Sequence, residues 1–249
     1  MLTAERRREI LSRLEREGKV VASELVAALG VSEDTVRRDL RELAAGGHVQ
    51  RVHGGALPPA PAAASFDQRL SVSPEAKAHL AEAALPLLAT ADVLILDGGT
   101  TAHELARRLP RERVCTVLTN APPVAAALAQ HPRAEVILIG GRLLKHAQVT
   151  VGSEAVDALR QVRADACVLG ICSLHPELGV TTTDHEEAPV KRAMVQASAD
   201  VIALATADKL HTMSPWFVAP LADVTHLVTD ADDELTADYS RAGVSVVPA

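Results

Sequence analysis

Seven short apolar runs, separated by segments long enough to be helices, dominate the chain beyond Pro74. The core they offer is aliphatic, because the whole chain has one Trp, one Tyr and two Phe. Apolar runs that alternate with helical patterns are typical of a parallel sheet covered by helices. The sequence therefore predicts an α/β domain with a mostly parallel sheet, whose strands fall at residues 93–96, 114–118, 136–139, 167–169, 201–204, 226–228 and 244–247.

The N-terminal part of the chain carries a different pattern, that of three helices. Apolar residues recur at helical spacing over residues 3–17, with Thr3 as the expected N-cap and Gly18 as the stop. A second helix is expected over residues 23–29 and a third over residues 32–45, with a tight turn between them. Three helices joined in this way predict a helix-turn-helix.

A β-hairpin and a linker are expected after the third helix. Residues 48–52 alternate and lead into a glycine turn at residues 53–55, which predicts a hairpin wing. Residues 58–64 are only Pro and Ala and break all periodicity. We therefore predict a small N-terminal winged helix-turn-helix over residues 1–57, a linker over residues 58–73 and the larger α/β domain over residues 74–249.

The charge is distributed unevenly between these parts. The chain has a net charge of −7, but residues 1–57 hold ten Lys and Arg against nine Asp and Glu, leaving 15 and 23 for the remainder. Only the N-terminal part is therefore suited to approach the phosphates of nucleic acid.

The third helix presents short donors and arginines on its polar face. Arginine can bond guanine edges in the major groove, and Ser or Thr can bond phosphate from a helix N-terminus. A solvated face, with Arg37 and Arg38 paired to Asp34, Asp39 or Glu42, is the alternative. With the turn and the wing adjoining, we favour binding to double-stranded operator DNA, and the candidate DNA-binding residues are Ser32, Glu33, Thr35, Arg37, Arg38, Arg51 and His53.

Glycines and hydroxyl residues follow several predicted strands. Asp97-Gly98-Gly99-Thr100-Thr101 runs from a strand into a helix, where glycines let backbone approach an anion and the helix N-terminus attracts it. A plain strand-to-helix turn would use the same residues. The pattern recurs at other strand ends, where ligands bind in such sheets, and this favours an effector site that adds Asn120, Gly140, Gly141 and Gly170.

Two N-terminal motifs resemble the DeoR-family signature. They are Thr-Val-Arg-Arg-Asp-Leu-Arg-Glu-Leu at residues 35–43 and Arg-Val-His-Gly-Gly-Ala at residues 51–56, and the resemblance continues through most of the α/β domain. It implies a repressor of sugar catabolism genes that is relieved by a phosphorylated sugar. It also implies a sensor domain with the fold of ribose-5-phosphate isomerase. We expect Asp39 and Leu40 to be structural, with Asp39 orienting a neighbouring arginine.

The resemblance also assigns roles in the sensor domain. Gly99, Thr100 and Thr101 would cradle the phosphate, with Asn120 nearby, while further effector-binding residues would be Glu186, Lys191 and Lys209. A capped, solvated helix start is the alternative for Glu186 and Lys191. The sequence departs from the family pattern at Thr206, where an acid is usual, and at Ser173, where glycine is more frequent. Asp208 is a candidate substitute for that acid.

An enzyme is the main rival interpretation. A phosphosugar isomerase needs a positioned base and a second acid, and related isomerases carry closely spaced acids just after a central strand. Here that place reads Gly-Ile-Cys-Ser at residues 170–173. We therefore expect no catalytic residues and no enzyme activity. A transcriptional activator is a further alternative, because sequence does not set the direction of regulation; a DNA-binding module without a ligand would leave the glycine loops unexplained.

We expect no metal and no cofactor. The three cysteines form no CxxC pair, and the ten histidines show no HxxxH or HExxH spacing. No stretch reaches the roughly 20 apolar residues that span a bilayer, so we expect a cytoplasmic protein without a membrane partner. One helix-turn-helix buries too little surface for tight operator binding, so a homodimer or homotetramer is expected.

Overall fold

The computed structural model describes residues 2–58 and 65–249. Its N-terminal part is a winged helix-turn-helix in which three helices pack on a small antiparallel sheet of order β1-β3-β2. Its elements are α1 (Thr3–Glu17), β1 (Val20–Val21), α2 (Ala22–Leu29), α3 (Glu33–Ala45), β2 (Gln50–Val52) and β3 (Gly55–Leu57).

The helix ends follow from local hydrogen bonding. Gly18 ends α1 in the left-handed conformation, with φ of 67°. The Ser32 side chain caps α3 by accepting a hydrogen bond from the Thr35 backbone N–H. The prediction of Thr3 as the N-cap of α1 is wrong: the cap is Leu2, whose backbone N–H donates to the Glu5 side chain, so a carboxylate one turn later satisfies the helix start.

A buried carboxylate joins the first helix to the third. Asp39 is 1% exposed and accepts hydrogen bonds from the Nε atoms of Arg6 and Arg7, the second at 3.1 Å. Around it lies a core of aliphatic side chains that includes Ile10, Leu25 and Val36. Asp39 therefore points inward and orients arginines of α1.

The predicted linker over residues 58–73 contains a helix. Residues 59–64 lie outside the described part, but the segment that follows them forms α4 (Phe66–Leu70). A capping box starts it, because Ser65 Oγ accepts from the Gln68 backbone and Gln68 Oε1 accepts from the Ser65 backbone. Phe66 is buried, which anchors the helix.

The larger domain is built on one seven-stranded parallel sheet. All seven predicted apolar runs form its strands; the inner strands are largely buried, whereas the two edge strands, at residues 134–138 and 245–248, are partly exposed. The strand order is β15-β14-β12-β9-β4-β5-β6, formed by β4 (Val93–Leu96), β5 (Cys115–Thr119), β6 (Ala134–Leu138), β9 (Ala164–Gly170), β12 (Ser198–Leu204), β14 (His226–Thr229) and β15 (Ser245–Pro248).

Six longer helices connect and cover these strands. They are α5 (Pro74–Ala84), α6 (Thr100–Arg108), α7 (Pro122–Leu128), α8 (Ser153–Arg160), α9 (Glu187–Gln196) and α10 (Asp233–Arg241). Among all the described helices, none is long and apolar enough to cross a membrane.

Two small antiparallel units complete the domain. One is a hairpin of β7 (Arg142–Leu144) and β8 (Val149–Val151); the other is a sheet of order β10-β11-β13, with β10 (Ser173–His175), β11 (Gly179–Thr182) and β13 (Trp216–Ala219). Tyr239 of α10 ties down the second unit, since its buried hydroxyl donates to the Leu174 carbonyl at 2.9 Å. Ser173 is also buried there and bonds Ser214 Oγ at 2.8 Å.

Candidate functional site

A cavity of about 230 Å³ lies at the carboxyl ends of strands β4, β9 and β12. This is the edge of a parallel sheet where ligands bind. Among the predicted effector residues it brings together Asp97, Gly98, Gly99, Thr100, Thr101, Gly170, Lys191 and Lys209. Its lining also includes Arg69, Val72, Ser73, Lys77, His146, Cys172, Thr183, Glu187, Thr206 and Asp208.

Two glycines shape the turn from β4 into α6. A β-carbon on Gly98 would lie 2.1 Å from Val149 Cγ1, so any side chain there would force the Val149 side chain of β8 to move. Gly99 has φ of 113°, which L-residues rarely adopt. The backbone can therefore turn directly against the cavity and present the start of α6 to it.

The first turn of α6 offers unpaired donors to this cavity. An α-helix leaves its first four N–H groups without helical partners, and within the described residues no acceptor is bonded to the N–H groups of Thr100, Thr101 or Ala102. Thr100 and Thr101, which carry hydroxyl groups, line the same cavity. With the positive end of the helix dipole, these groups form a site suited to an anion.

Asp97 and Lys191 form a buried ion pair beneath that turn. The two residues are 2% and 6% exposed, and Lys191 Nζ donates to Asp97 Oδ2 and, at 2.9 Å, to the Gly170 carbonyl. Asp97 also accepts from the backbone N–H groups of Gly98 at 2.7 Å and Gly170 at 2.9 Å. Burial alone would lower the pKa of Lys191, but the carboxylates of Asp97 and Glu187 raise it above its ordinary value. The pair thus fixes the loops after β4 and β9 in place.

Three further cations, Arg69, Lys77 and Lys209, line the same cavity. Burial, with the positive charges of Lys209 and Arg69, lowers the pKa of Lys77 to about 8. Burial also lowers the pKa of Lys209; the nearby Asp208 opposes this shift, whereas Arg69 and Lys191 act in the same direction as burial. Lys77 Nζ donates to the carbonyls of Arg69 and Val72, whereas Arg69 Nε is buried and makes no hydrogen bond to the described residues. Such crowding of positive charge is relieved by an anion.

Two carboxylates and a thiol also belong to the cavity lining. Glu187 accepts a hydrogen bond from Thr182 Oγ1 at 3.0 Å, and Asp208 accepts one from Thr206 Oγ1. Cys172 Sγ lies 3.5 Å from Thr182 Oγ1. This part of the cavity can accept hydrogen bonds from hydroxyls, as the neutral part of a ligand would require.

Four predicted effector residues lie outside the cavity lining. Asn120 is buried and its Nδ2 donates to the Thr150 carbonyl at 2.9 Å, which ties the end of β5 to β8. Gly140 and Gly141 lead into the β7–β8 hairpin. Glu186 is paired with Arg142 on the surface. The strand-end pattern selected the first three because it identifies an edge of the sheet and not a position along that edge, whereas Glu186 was selected by the family resemblance.

The predicted DNA-reading face is exposed on α3. Arg37 pairs with Glu33 at 2.6 Å, one turn away on the same face, while Asp39 and Glu42 are held by arginines of α1. Arg38 makes no ion pair with any described residue. The Arg37–Glu33 pair joins two exposed side chains, and such pairs contribute about 0.3–0.5 kcal/mol, so it leaves Arg37 available to a ligand. In the wing, Arg51 on β2 and His53 at the hairpin turn are both exposed.

Sequence reasoning missed several cavity residues. Arg69 fell within the predicted linker, and Lys77 lies on a helix whose pattern gives no reason to single it out. Glu187 and Cys172 each adjoin a residue or motif that was named, so proximity in sequence was the available indication. No group of three or more His, Cys, Asp or Glu that could hold a metal occurs in the described ranges.

Comparisons with known proteins agree with both halves of this description. Residues 6–60 match the DeoR-like helix-turn-helix domain, and residues 72–231 match the DeoR C terminal sensor domain. Among solved structures, ribose 5 phosphate isomerase A from Neisseria gonorrhoeae is 13% identical, with 55% of this chain and 53% of that chain covered and a TM-score of 0.40.

Curated relatives match along nearly the whole chain. The HTH-type transcriptional regulator GlpR of Haloferax volcanii is 35% identical, covering 99% of this chain and 98% of its own. The HTH-type transcriptional repressor GlcR of Bacillus subtilis is 33% identical, with 92% and 89% covered. The glycerol-3-phosphate regulon repressor of Haemophilus influenzae is 30% identical, with 95% and 92% covered. The chain therefore belongs to the DeoR family of DNA-binding transcriptional regulators.

Proposed function

We propose that this protein represses sugar catabolism genes by binding operator DNA and is released by a phosphorylated sugar. The part of this proposal that concerns the effector is supported by the cavity, whose lining combines the start of α6 with three closely spaced cations. A relative named for the glycerol-3-phosphate regulon is consistent with a phosphorylated effector.

The phosphate is assigned to the Gly99–Thr101 end of the cavity. Backbone N–H groups and two hydroxyls can donate to it there, and Lys209 adds a positive charge, although burial and cationic neighbours lower the pKa of this lysine. Charge-assisted hydrogen bonds favour a dianion over the neutral hydroxyl of the unphosphorylated sugar. The sugar would then lie toward Glu187 and Asp208, whose carboxylates accept hydrogen bonds from hydroxyls.

Operator binding is assigned to α3 and the wing of a homodimer or a homotetramer. Two copies of α3 would read two half-sites, which supplies the interface area that one helix-turn-helix lacks. We place this activity in the cytoplasm, where operator DNA is accessible.

We further propose that the protein is not an enzyme. The loop after β9 supplies Cys172 and no carboxylate to the cavity, and the buried Asp97 is already paired with Lys191. We expect the purified protein not to interconvert ketose and aldose phosphates. Coupled assays over pentose and hexose phosphates provide the measurement, and turnover that is abolished in an Asp208→Asn or Glu187→Gln variant would establish an enzyme instead.

Thr100→Val is expected to desensitise the protein to its effector. The change keeps the shape of the side chain and removes one hydroxyl donor, and a hydrogen bond to a charged group contributes about 1.5–3 kcal/mol. Effector affinity should fall roughly 10- to 100-fold, while operator affinity without effector stays unchanged. Calorimetry with a panel of sugar phosphates, paired with operator titrations, measures both.

The matched control is Thr116→Val on β5, outside the cavity lining, which should respond to effector as the wild type does. The coupling between effector and operator is expected at about 1–3 kcal/mol, or 5- to 150-fold in operator affinity. If no phosphorylated sugar binds the wild type, or if the Thr100→Val protein keeps full sensitivity, the phosphate site is not at the start of α6.

A further inference from the structure

Helix α4 lies in a stretch that neither family match covers. The matches span residues 6–60 and 72–231, whereas α4 is Phe66–Leu70. Seven residues, 58–64, separate its cap Ser65 from the last strand of the winged helix-turn-helix. Any displacement of α4 therefore acts on the short connection that leads to the DNA-binding domain.

Contacts with three parts of the sensor domain, helices α5 and α6 and the β7–β8 hairpin, hold α4 against the cavity. The Phe66 ring packs edge-on against the His103 ring at 5.9 Å between centroids, and its backbone N–H donates to the His146 carbonyl at 2.7 Å. Gln148 Nε2 donates to Asp67 Oδ1 at 3.0 Å. Lys77 bonds carbonyls at the end of α4, as described above. Apart from Lys77, none of these contacts uses a charged group of the cavity lining.

Arg69 is the side chain through which α4 reaches the anion site. Its Nη1 lies 3.9 Å from the point that a β-carbon on Gly99 would occupy, so the guanidinium stands beside the start of α6. Its Nε is buried without a hydrogen-bond partner among the described residues. A buried donor left unpaired is costly, and a planar guanidinium is the group that binds phosphate oxygens in pairs.

We propose that Arg69 is a direct ligand of the effector's phosphate, so that effector binding pulls on the segment joining the two domains. This inference rests on the proposed function, because it uses the same phosphate site. The phosphate would accept from Arg69 on one side and from Thr100 and Thr101 on the other. It would thereby fasten α4 to α6 and change the position from which the connection to the DNA-binding domain starts.

The test uses the full-length protein and an Arg69→Met variant, which keeps the aliphatic stem and removes the guanidinium. Calorimetry with inorganic phosphate and with glucose 6-phosphate is expected to show affinities lower by about 10- to 100-fold. Arg69→Lys should recover part of this loss, because it restores the charge without the fork. A thermal melt that is unchanged in Arg69→Met would show that the fold is intact.

Asp67→Ala is the matched control. It loosens α4 by removing its bond to Gln148 and leaves the cavity charges in place, so phosphate affinity should stay within about twofold of the wild type. Hydrogen exchange of the backbone over residues 66–72 supplies a second readout. Phosphate should slow this exchange in the wild type and in Asp67→Ala, but not in Arg69→Met.

The outcomes separate the two proposals. If neither probe nor any other sugar phosphate binds the wild type, the proposed function fails and this inference fails with it. If the wild type binds and Arg69→Met binds equally well, only the role of Arg69 is overturned. Equal losses in Arg69→Met and Asp67→Ala would show that Arg69 acts by placing α4 and is not a ligand. If phosphate does not slow hydrogen exchange over residues 66–72 in the wild type, the proposal that effector binding acts on α4 is overturned.

Discussion

Replacing Asp97 with alanine is expected to lower the free energy of unfolding by about 3–5 kcal/mol. The carboxylate accepts from Lys191 Nζ and from the backbone N–H groups of Gly98 and Gly170, all in a buried site. Removing one partner of a buried pair leaves the other charge without compensation, which costs about that amount. Denaturant unfolding followed by circular dichroism provides the measurement.

Two further variants separate the ion pair from a general effect of charge. Asp238→Ala removes an exposed pair with Arg241 and should cost at most about 1 kcal/mol. The double change Asp97→Leu with Lys191→Met replaces both charges by apolar groups and should recover much of the lost stability, because neither side chain then leaves a buried charge. A loss below about 1 kcal/mol in Asp97→Ala would mean that Lys191 finds another partner or loses its proton.

The parallel sheet could be predicted from the sequence, whereas the small antiparallel units could not. Strands buried on both faces are continuous apolar runs, and those runs stand out from the helical segments between them. Strands such as Ser173–His175 and Gly179–Thr182 are three or four residues long and mix hydroxyls with apolar groups. Their pairing depends on contacts made after the chain has folded, such as the bond from the Tyr239 hydroxyl to Leu174.

The site shows the same division between local and distant information. The glycine turn and the threonines of α6 adjoin a predicted strand, so local pattern was sufficient to select them. Arg69 reaches the cavity only because α4 docks on the sensor domain through Phe66 and His103, which are 37 positions apart in the sequence. Asn120 illustrates the opposite error: local pattern predicted an effector ligand, but this polar residue at a strand end instead donates a hydrogen bond to the β7–β8 hairpin.

Arg38→Ala in α3 is expected to reduce operator affinity more than any other single change considered above. An arginine that reads a base contributes about 1–3 kcal/mol, and a dimer carries two copies. The expected loss is therefore about 2–6 kcal/mol, from roughly 30-fold to about 10⁴-fold. Arg38 is exposed and makes no ion pair with the described residues, so the change should leave the circular dichroism spectrum and the unfolding midpoint unaltered.

Gel-shift titration at fixed salt measures this loss, with Arg241→Ala as the control for removal of an exposed arginine far from α3 in sequence. Arg37→Ala is expected to weaken binding as well, because its pair with Glu33 is too weak to keep it from DNA.

The dependence of operator binding on salt tells the two kinds of contact apart. An arginine that touches only phosphate should weaken binding to all sequences alike and lower the salt slope by about one per contact. One that reads a base should relax specificity at its own position. Because the exposed face of α3 offers both arginines with Ser32 and Thr35 at its start, we expect base reading from at least one of them. Wild-type affinity in both alanine variants would remove α3 from the DNA interface.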